Sequence, residues 1–233
     1  MTEINLSSLQ KRLLSGFTLG PVVVLIVLYG GWPFSIMAGG FASVALYEWS
    51  RLCRRIERLK ALYLFFGAAY ILLCFFYLYA LRAFGGFEFA LVFIALVWSS
   101  DIGAYAVGKK IGGPKMAPKI SPNKTWAGLV GACAAPAILG GGLMLYVDLT
   151  VLSGPSLLIL LAFVGGAFLG MAGQMGDLLV SFVKRKSGAK DAGGVIPGHG
   201  GVLDRVDSMM LVAPLFYYFV LMPWMIAKSY VVM

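Results

Sequence analysis

The chain has little charge. Only 12% of its 233 residues are Asp, Glu, Lys or Arg, whereas a water-soluble domain carries about 25%. Such a sequence cannot coat a water-exposed surface, and its 60% content of hydrophobic residues also excludes intrinsic disorder. Long apolar runs, such as residues 62–81, argue against a membrane β-barrel, whose strands alternate in short blocks. The low charge and the long apolar runs therefore indicate a helical membrane protein whose surface is mainly in contact with lipid.

Cysteine and histidine are also scarce. Cys53, Cys74 and Cys133 do not have the spacing of metal ligands and imply no disulfide framework. The formal net charge of +9 is compatible with nucleic-acid binding. In a membrane chain, however, the placement of Lys and Arg is more informative than their sum. We therefore expect no nucleic acid among the partners.

Seven apolar segments each approach the roughly 20 residues that a helix needs to cross the hydrocarbon core. They lie at residues 13–30, 32–49, 61–81, 87–107, 126–147, 157–176 and 208–227. The sequence predicts an all-α, polytopic membrane protein with about seven transmembrane helices, in a range of about six to nine. We expect a single integral membrane domain over residues 1–233, with N-terminal helices at 13–90 and the catalytic helices and loops at 91–233.

The basic residues predict the orientation. If the N-terminus is cytoplasmic, all of the 19 Lys and Arg residues except Arg82 and Lys228 fall on the cytoplasmic side, where such residues accumulate in membrane proteins. The two long polar stretches, 108–125 and 177–207, then face the cytoplasm. We expect a multi-pass protein of a bacterial-type inner membrane with a cytoplasmic active site.

The stretch 177–207 contains four of the ten acidic residues, namely Asp177, Asp191, Asp204 and Asp207. Ser181 shares a helix face with Asp177 if the helix continues past that residue. Asp204 and Asp207 are three residues apart at the entry to the segment 208–227, and the spacing predicts that they also share one helix face. Asp177, Asp204, Asp207 and the hydroxyl would together form a hard oxygen site suited to Mg²⁺. An equally weighted alternative is helix capping and ion pairing, since surface acids usually pair or stay solvated. The cations available for such pairs are Lys184, Arg185 and Arg205.

Cations and glycines lie between these carboxylates. The cations are Lys184, Arg185, Lys186 and Lys190, and the glycine-rich loop spans 193–201. Glycine lets a backbone approach phosphate closely, while cations neutralise its oxygens. This pattern predicts a polyphosphate site, with His199 as a further phosphate contact rather than a general base. The same composition is typical of a flexible loop that touches anionic lipid headgroups.

Two further segments contain candidate polar groups. Lys124 and Thr125 can donate to phosphate, whereas Trp126 is more typical of an interfacial tryptophan. Asp101 lies inside an apolar segment, where a charge is expensive and usually faces the bundle interior. We therefore include Asp101 among the candidate substrate contacts. Its alternative role is a structural hydrogen bond with one of three neighbouring hydroxyl groups, those of Ser99, Ser100 and Tyr105.

Several of these motifs follow one family pattern without a gap. They are SFVKR at 181–185, KD at 190–191 and PGHGGVLDRVD at 197–207, supported by SSDIGAY at 99–105 and SPNKTW at 121–126. In these motifs the chain resembles the phosphatidate cytidylyltransferases, or CDP-diacylglycerol synthases, over most of its C-terminal two thirds. It departs from them at Ala127, where members usually carry an acid, so a role for that acid is not expected here.

The resemblance implies that CTP and phosphatidate react with Mg²⁺ to give CDP-diacylglycerol and pyrophosphate, for phospholipid biosynthesis. It places the metal centre at Asp177, Ser181, Asp204 and Asp207, and the catalytic group at the three aspartates with Lys190. The inferred contacts to CTP or its phosphates are Lys124, Thr125, Lys184, Arg185, His199, Arg205 and Asp101. Phosphatidate would enter from the inner leaflet. A second, monovalent cation and a homodimer are left open.

Two other functions stay open. A CTP-dependent lipid kinase would need the same nucleotide, metal and membrane, but it would leave the α-phosphate of CTP in CDP. A transporter or channel would use Asp101 as an intramembrane ion site. Transport sites tend to lie near the bilayer midplane, whereas the acids of this chain cluster in a stretch assigned to the cytoplasm.

Overall fold

A computed structural model describes residues 20–147, 149, 157–195 and 200–231 of the chain. Helices dominate these residues. The bounds are α1 Gly20–Tyr29, α2 Gly31–Cys53, α3 Lys60–Ile111, α4 Trp126–Val147, α5 Leu157–Lys186, α6 Leu203–Val206, α7 Met209–Phe216 and α8 Met222–Val231, with a π-helical turn, Tyr217–Leu221, between the last two.

Within the described part of the chain, four helical runs are long and apolar enough to cross a membrane. They are Lys60–Ile111, Trp126–Val147, Leu157–Lys186 and Met209–Ser229. The predicted all-α membrane architecture is therefore confirmed. The helix α2 also contains the apolar segment predicted at 32–49. The count of seven crossings and the side on which the N-terminus lies stay predictions.

Helix α3 is interrupted at Gly86. An uninterrupted helix of 52 residues would be about 78 Å long, far more than the hydrocarbon core of about 30 Å. Gly86 has φ 78° and ψ −171°, a conformation that is essentially restricted to glycine. Residues 60–85 and 87–111 therefore form separate helical runs, and each contains one of the predicted apolar segments.

The helices form two compact units. The first contains α1, α2, the first run of α3, and residues 183–206 with α6. Arg82 of α3 donates to the carbonyl groups of Val27 and Leu28, with N–O distances of 2.6 and 3.2 Å. These carbonyls lie in the last turn of α1, where the helix itself supplies no donor. The guanidinium group therefore supplies hydrogen-bond donors to two carbonyl groups at the C-terminal end of α1.

The second unit contains the second run of α3, α4, α5 up to residue 182, and the C-terminal helices. Its helices approach through small residues, as is common in membranes. A Cβ atom on Gly131 would overlap the carbonyl oxygen of Gly103, and one on Gly170 would overlap that of Ala132. The backbone of α4 thus touches both neighbours. The close approach of α5 to α4 is therefore made possible by the absence of a side chain at Gly170.

A small antiparallel sheet lies in the stretch 108–125, for which the sequence predicts only a polar loop. Strand β1 is Lys115–Ala117, strand β2 is Ser121–Thr125, and Lys115 pairs with Thr125. The strands lack an apolar alternation, so hydropathy gives no signal for them. Because α4 begins at Trp126, the hairpin ends directly at the start of a helix.

Replacing Gly170 with Ala should destabilise the protein, because the added Cβ atom would overlap the backbone of Ala132. Overpacking of this kind costs about 1–3 kcal/mol. Gly165→Ala, on the same helix, is the control, because a Cβ atom there meets nothing within 4 Å and Ala is the better helix former. Thermal unfolding of the purified protein in detergent measures both variants. Equal unfolding temperatures would contradict the close approach.

Candidate functional site

Asp177 lies inside a continuous helix. α5 extends to Lys186, beyond the segment 157–176 that hydropathy predicts, and Ser181 follows Asp177 by one turn on the same face. The hydroxyl group of Ser181 donates to Asp177 Oδ1 at 3.0 Å. The two side chains are therefore adjacent, as their spacing predicts.

Lys124 supplies the cation beside this carboxylate. Its Nζ atom lies 2.7 Å from Asp177 Oδ2, and it also donates to the carbonyl of Gln174 at 3.2 Å. The strand that carries Lys124 is held at its end, since the N–H of Trp126 donates to the carbonyl of Pro114 at 3.1 Å. A side chain predicted to bind phosphate therefore neutralises one predicted to bind metal.

Thr125, another predicted phosphate contact, caps helix α4. Its side chain is buried, and its hydroxyl oxygen accepts the N–H of Gly128 at 3.0 Å. Threonine is a preferred residue at this position because it satisfies an N–H group that has no partner within the helix. Capping of α4 by the hydroxyl group is therefore sufficient to explain why threonine occurs at this position.

Asp204 is bound by one cation and two backbone amides. Its Oδ1 atom lies 2.8 Å from Lys184 Nζ. Its Oδ2 atom accepts the N–H groups of Ala192 and Gly201 at 2.9 and 3.0 Å. The ion pair with Lys184, one of the alternatives left open by the sequence, is present. Both side chains are only 9% exposed, so each charge depends on the other for compensation.

The end of α5 helps to position these donors. Gly188 has φ +68°. Its N–H donates to the carbonyl of Arg185 at 3.0 Å, and the N–H of Ala189 donates to the carbonyl of Lys184 at 2.9 Å. This is a Schellman motif, in which a glycine in the left-handed region ends the helix. The chain leaves the helix there, and Ala192 can reach Asp204.

Asp207 does not share a helix with Asp204. Asp204 lies in α6, which ends at Val206, and α7 begins at Met209. Asp207 is 9% exposed, and its Oδ1 atom accepts the N–H of Ser208 at 2.9 Å. The two aspartates therefore lie on separate elements, and the prediction that they share one helix face is wrong.

The other predicted contacts differ in their surroundings. Arg185, Lys190 and Arg205 are exposed, whereas His199 lies outside the described residues. Asp101 is exposed and lines a small cavity with Ser100 and Ser208, among others. In the described part of the chain, the buried hydroxyl group of Ser100 has no hydrogen-bond partner. The hydroxyl of Ser99 donates to the carbonyl of Leu96 at 2.8 Å.

Asp177 and Ser181 carry hard oxygens, the ligand type that Mg²⁺ prefers. These oxygens are adjacent because the hydroxyl group donates to Asp177 Oδ1 at 3.0 Å. Among the described residues, no three His, Cys, Asp or Glu side chains are grouped closely enough to hold a metal. Ligation by the four predicted residues stays a prediction.

Glu48 is an acid to which the sequence motifs assign no role. It lies in α2 and is 1% exposed. Its Oε1 and Oε2 atoms accept the N–H groups of Val202 and Leu203 at 3.2 and 2.8 Å. A signal was available, because Glu48 is an acid inside an apolar segment, the criterion that singled out Asp101.

Lys184→Met should strongly lower the stability of the fold, because Asp204 would keep a buried charge without its cation. Removing one partner of a buried ion pair costs about 3–5 kcal/mol. The double variant Lys184→Met/Asp204→Leu should recover part of that loss, since no unpaired charge remains. Lys190→Met, at an exposed cation in the segment that follows α5, is the control. Unfolding temperatures are measured in detergent for Lys184→Met, Asp204→Leu and the double variant. A double variant whose loss equals the sum of the two single losses would refute the pairing.

The chain is similar in sequence to known cytidylyltransferases. Residues 10–88 and 57–222 match the model of the Cytidylyltransferase family. A phosphatidate cytidylyltransferase of Brucella suis biovar 1 is 33% identical over 266 residues, covering 92% of this chain and 94% of the relative. Enzymes of the same name from Bacillus subtilis and Rickettsia bellii are 30% and 35% identical, over 90% and 91% of this chain and 97% and 90% of their own lengths.

Proposed function

Because the chain belongs to the Cytidylyltransferase family, we propose that it transfers the cytidylyl group of CTP to phosphatidate. The products are CDP-diacylglycerol, which serves phospholipid biosynthesis, and pyrophosphate. The observation that carries this proposal is the similarity to phosphatidate cytidylyltransferases over nine tenths of the chain. The grouping of lysines with carboxylates supports it, since both substrates are phosphate anions.

The reaction requires a place where a lipid and a soluble polyanion meet. The proposed enzyme spans an inner membrane about seven times, with its N-terminus and its catalytic loops in the cytoplasm. Phosphatidate enters from the inner leaflet, and CTP arrives from the cytoplasm. The distribution of Lys and Arg supports this orientation, because only Arg82 and Lys228 would lie on the other side.

The chemical step joins two anions. A phosphate oxygen of phosphatidate bonds to the α-phosphorus of CTP, and the bond from that phosphorus to the bridging oxygen breaks, so that the electron pair leaves with pyrophosphate. The attacking phosphate is already ionised, so no side chain has to remove a proton. The protein therefore contributes mainly orientation and charge neutralisation.

Oxygen ligands for a divalent cation are proposed at Asp177, Ser181, Asp204 and Asp207, with Lys190 beside the reacting phosphates. A bound Mg²⁺ would supply neutralising charge at the phosphates. The support in the structure is the adjacency of Asp177 Oδ1 and Ser181 Oγ. Asp204 is held firmly, because its ion pair and two amide hydrogen bonds restrict the carboxylate.

The cations are proposed to bind the phosphates of CTP. This group contains Lys124, Lys184, Arg185, His199 and Arg205, with Thr125 and Asp101 as further substrate contacts. Lys124 is well suited to the role, because its flexible side chain can exchange one oxyanion partner for another. Its pair with Asp177 is partly exposed, at 14% for the lysine and 30% for the aspartate, so a phosphate oxygen can approach it from water.

CTP radiolabelled at the α-phosphate should transfer its label to lipid when the purified protein is supplied with phosphatidate and Mg²⁺ in mixed micelles. Cytidylyl transfer has this outcome because the α-phosphate stays with the cytidine. Label recovered in CDP would identify a lipid kinase instead. Ion flux in proteoliposomes without CTP, together with no labelled lipid, would favour a transporter.

Asp207→Ala should lower the rate of this transfer by about a hundredfold or more, the effect expected when a group that stabilises developing charge is lost. The variant should still elute as a folded protein in detergent. Glu57→Ala removes an exposed acid from the turn after α2 and serves as the control, with activity close to that of the parent. Full activity of purified Asp207→Ala would remove Asp207 from the catalytic group.

A further inference from the structure

The carboxylate of Glu48 contacts both ends of the glycine-rich loop. A Cβ atom on Gly193, where the loop begins, would overlap Oε1 of Glu48. A Cβ atom on Gly201, where the loop ends, would lie 2.5 Å from both carboxylate oxygens. Glycine at these two positions therefore allows one buried side chain to fit between the two ends of the loop.

The hydrogen bonds of Glu48 explain why an acid stands there. Both carboxylate oxygens accept backbone N–H groups, those of Val202 and Leu203. The side chain is 1% exposed, so water cannot replace a lost hydrogen bond and an unsatisfied group would be costly. A carboxylate is purely an acceptor when ionised, whereas an amide of the same shape presents one acceptor and one donor.

Glu48 and Asp204 bind overlapping parts of the chain. Leu203, which donates to Glu48, is the first residue of α6, and Asp204 follows it. Asp204 in turn accepts the N–H groups of Ala192 and Gly201. Two acids, one in α2 and one in α6, thus bind the backbone next to the two ends of the loop.

We propose that Glu48 is a positioning residue for the transfer reaction. Its carboxylate holds the two ends of the loop 193–201 and the start of α6 in place. In this way it positions the carboxylate of Asp204. The inference rests on the proposed cytidylyl transfer, in which Asp204 is catalytic. It gives an N-terminal helix a part in the site, although the sequence motifs place the chemistry in residues 91–233.

Glu48→Gln tests the proposal with little change of volume. The amide would direct its NH₂ group at one of the two N–H donors, so the start of α6 must shift. A misplacement of about 1 Å can cost a hundredfold in rate, and we expect kcat per folded molecule to fall roughly tenfold to a hundredfold. KM for phosphatidate should stay within about twofold, because the change lies in the orientation of reacting groups. Glu57→Gln, at an exposed acid, should keep the parental kcat.

A second perturbation leaves the acid in place. Gly193→Ala should displace the carboxylate of Glu48 and lower kcat similarly. Because both changes act on one contact, the double variant Glu48→Gln/Gly193→Ala should be no slower than the slower single variant. Hydrogen exchange of residues 200–206 should accelerate in Gly193→Ala but not in Gly194→Ala, where an added Cβ atom meets nothing within 4 Å.

The outcomes separate this inference from the proposed function. If the parent protein transfers no label to lipid, the proposed function fails, and hydrogen exchange still reports whether Glu48 holds the loop. If the parent is active and Glu48→Gln retains kcat per folded molecule, Glu48 only stabilises the fold and the inference is wrong. Should Glu48→Gln fail to fold, Gly193→Ala decides, and a parental kcat in that variant overturns the proposal.

Discussion

Three carboxylates in the described part of the chain, those of Glu48, Asp177 and Asp204, take their hydrogen-bond donors from the protein itself. Lipid offers none, and an ionised acid without a partner is too costly to keep in apolar surroundings. Asp177 is paired with Lys124 and a serine hydroxyl, Asp204 with Lys184 and two amides, and Glu48 with two amides. In each case at least one donor comes from a segment distant in sequence. The need to compensate charge therefore connects loops to helices, which apolar packing alone would leave unspecified.

Contacts between helix backbones pack the second unit, which contains Asp177 and Ser181. Helices in lipid experience little hydrophobic driving force toward one another, so their association depends more on close van der Waals packing. Glycine permits it in the second unit, where α4 touches the second run of α3 at Gly103 and α5 at Gly170. Helix α5 then continues past its apolar part to carry Asp177 and Ser181. The same helix thus combines a packed apolar section with a polar end that carries two of the candidate site residues.

The sequence predicts the helical architecture well because apolar segments of membrane length leave few alternatives. It also predicts the adjacency of Asp177 and Ser181, which follows from helical periodicity alone. It could not identify Lys124 as the partner of Asp177, since that contact depends on how the hairpin and α5 pack. Nor could spacing show that Asp204 and Asp207 lie on separate elements, because α6 ends after Val206 without a proline or glycine to mark the break. Glu48 was detectable as an acid in an apolar segment, but its partners lie more than 150 residues further along the chain.

The type of partner distinguishes the roles of the three carboxylates. A lysine ammonium group sits on a long, flexible stem and can move from a carboxylate to a phosphate oxygen, so the pairing of Asp177 is exchangeable. A backbone amide cannot leave without unfolding its segment, so the hydrogen bonds of Glu48 are permanent parts of the fold. Asp204 combines both kinds of partner, since two amides and the buried Lys184 together hold its carboxylate in place. The donors that surround acids of the same chemistry therefore determine how readily each acid can exchange its partner.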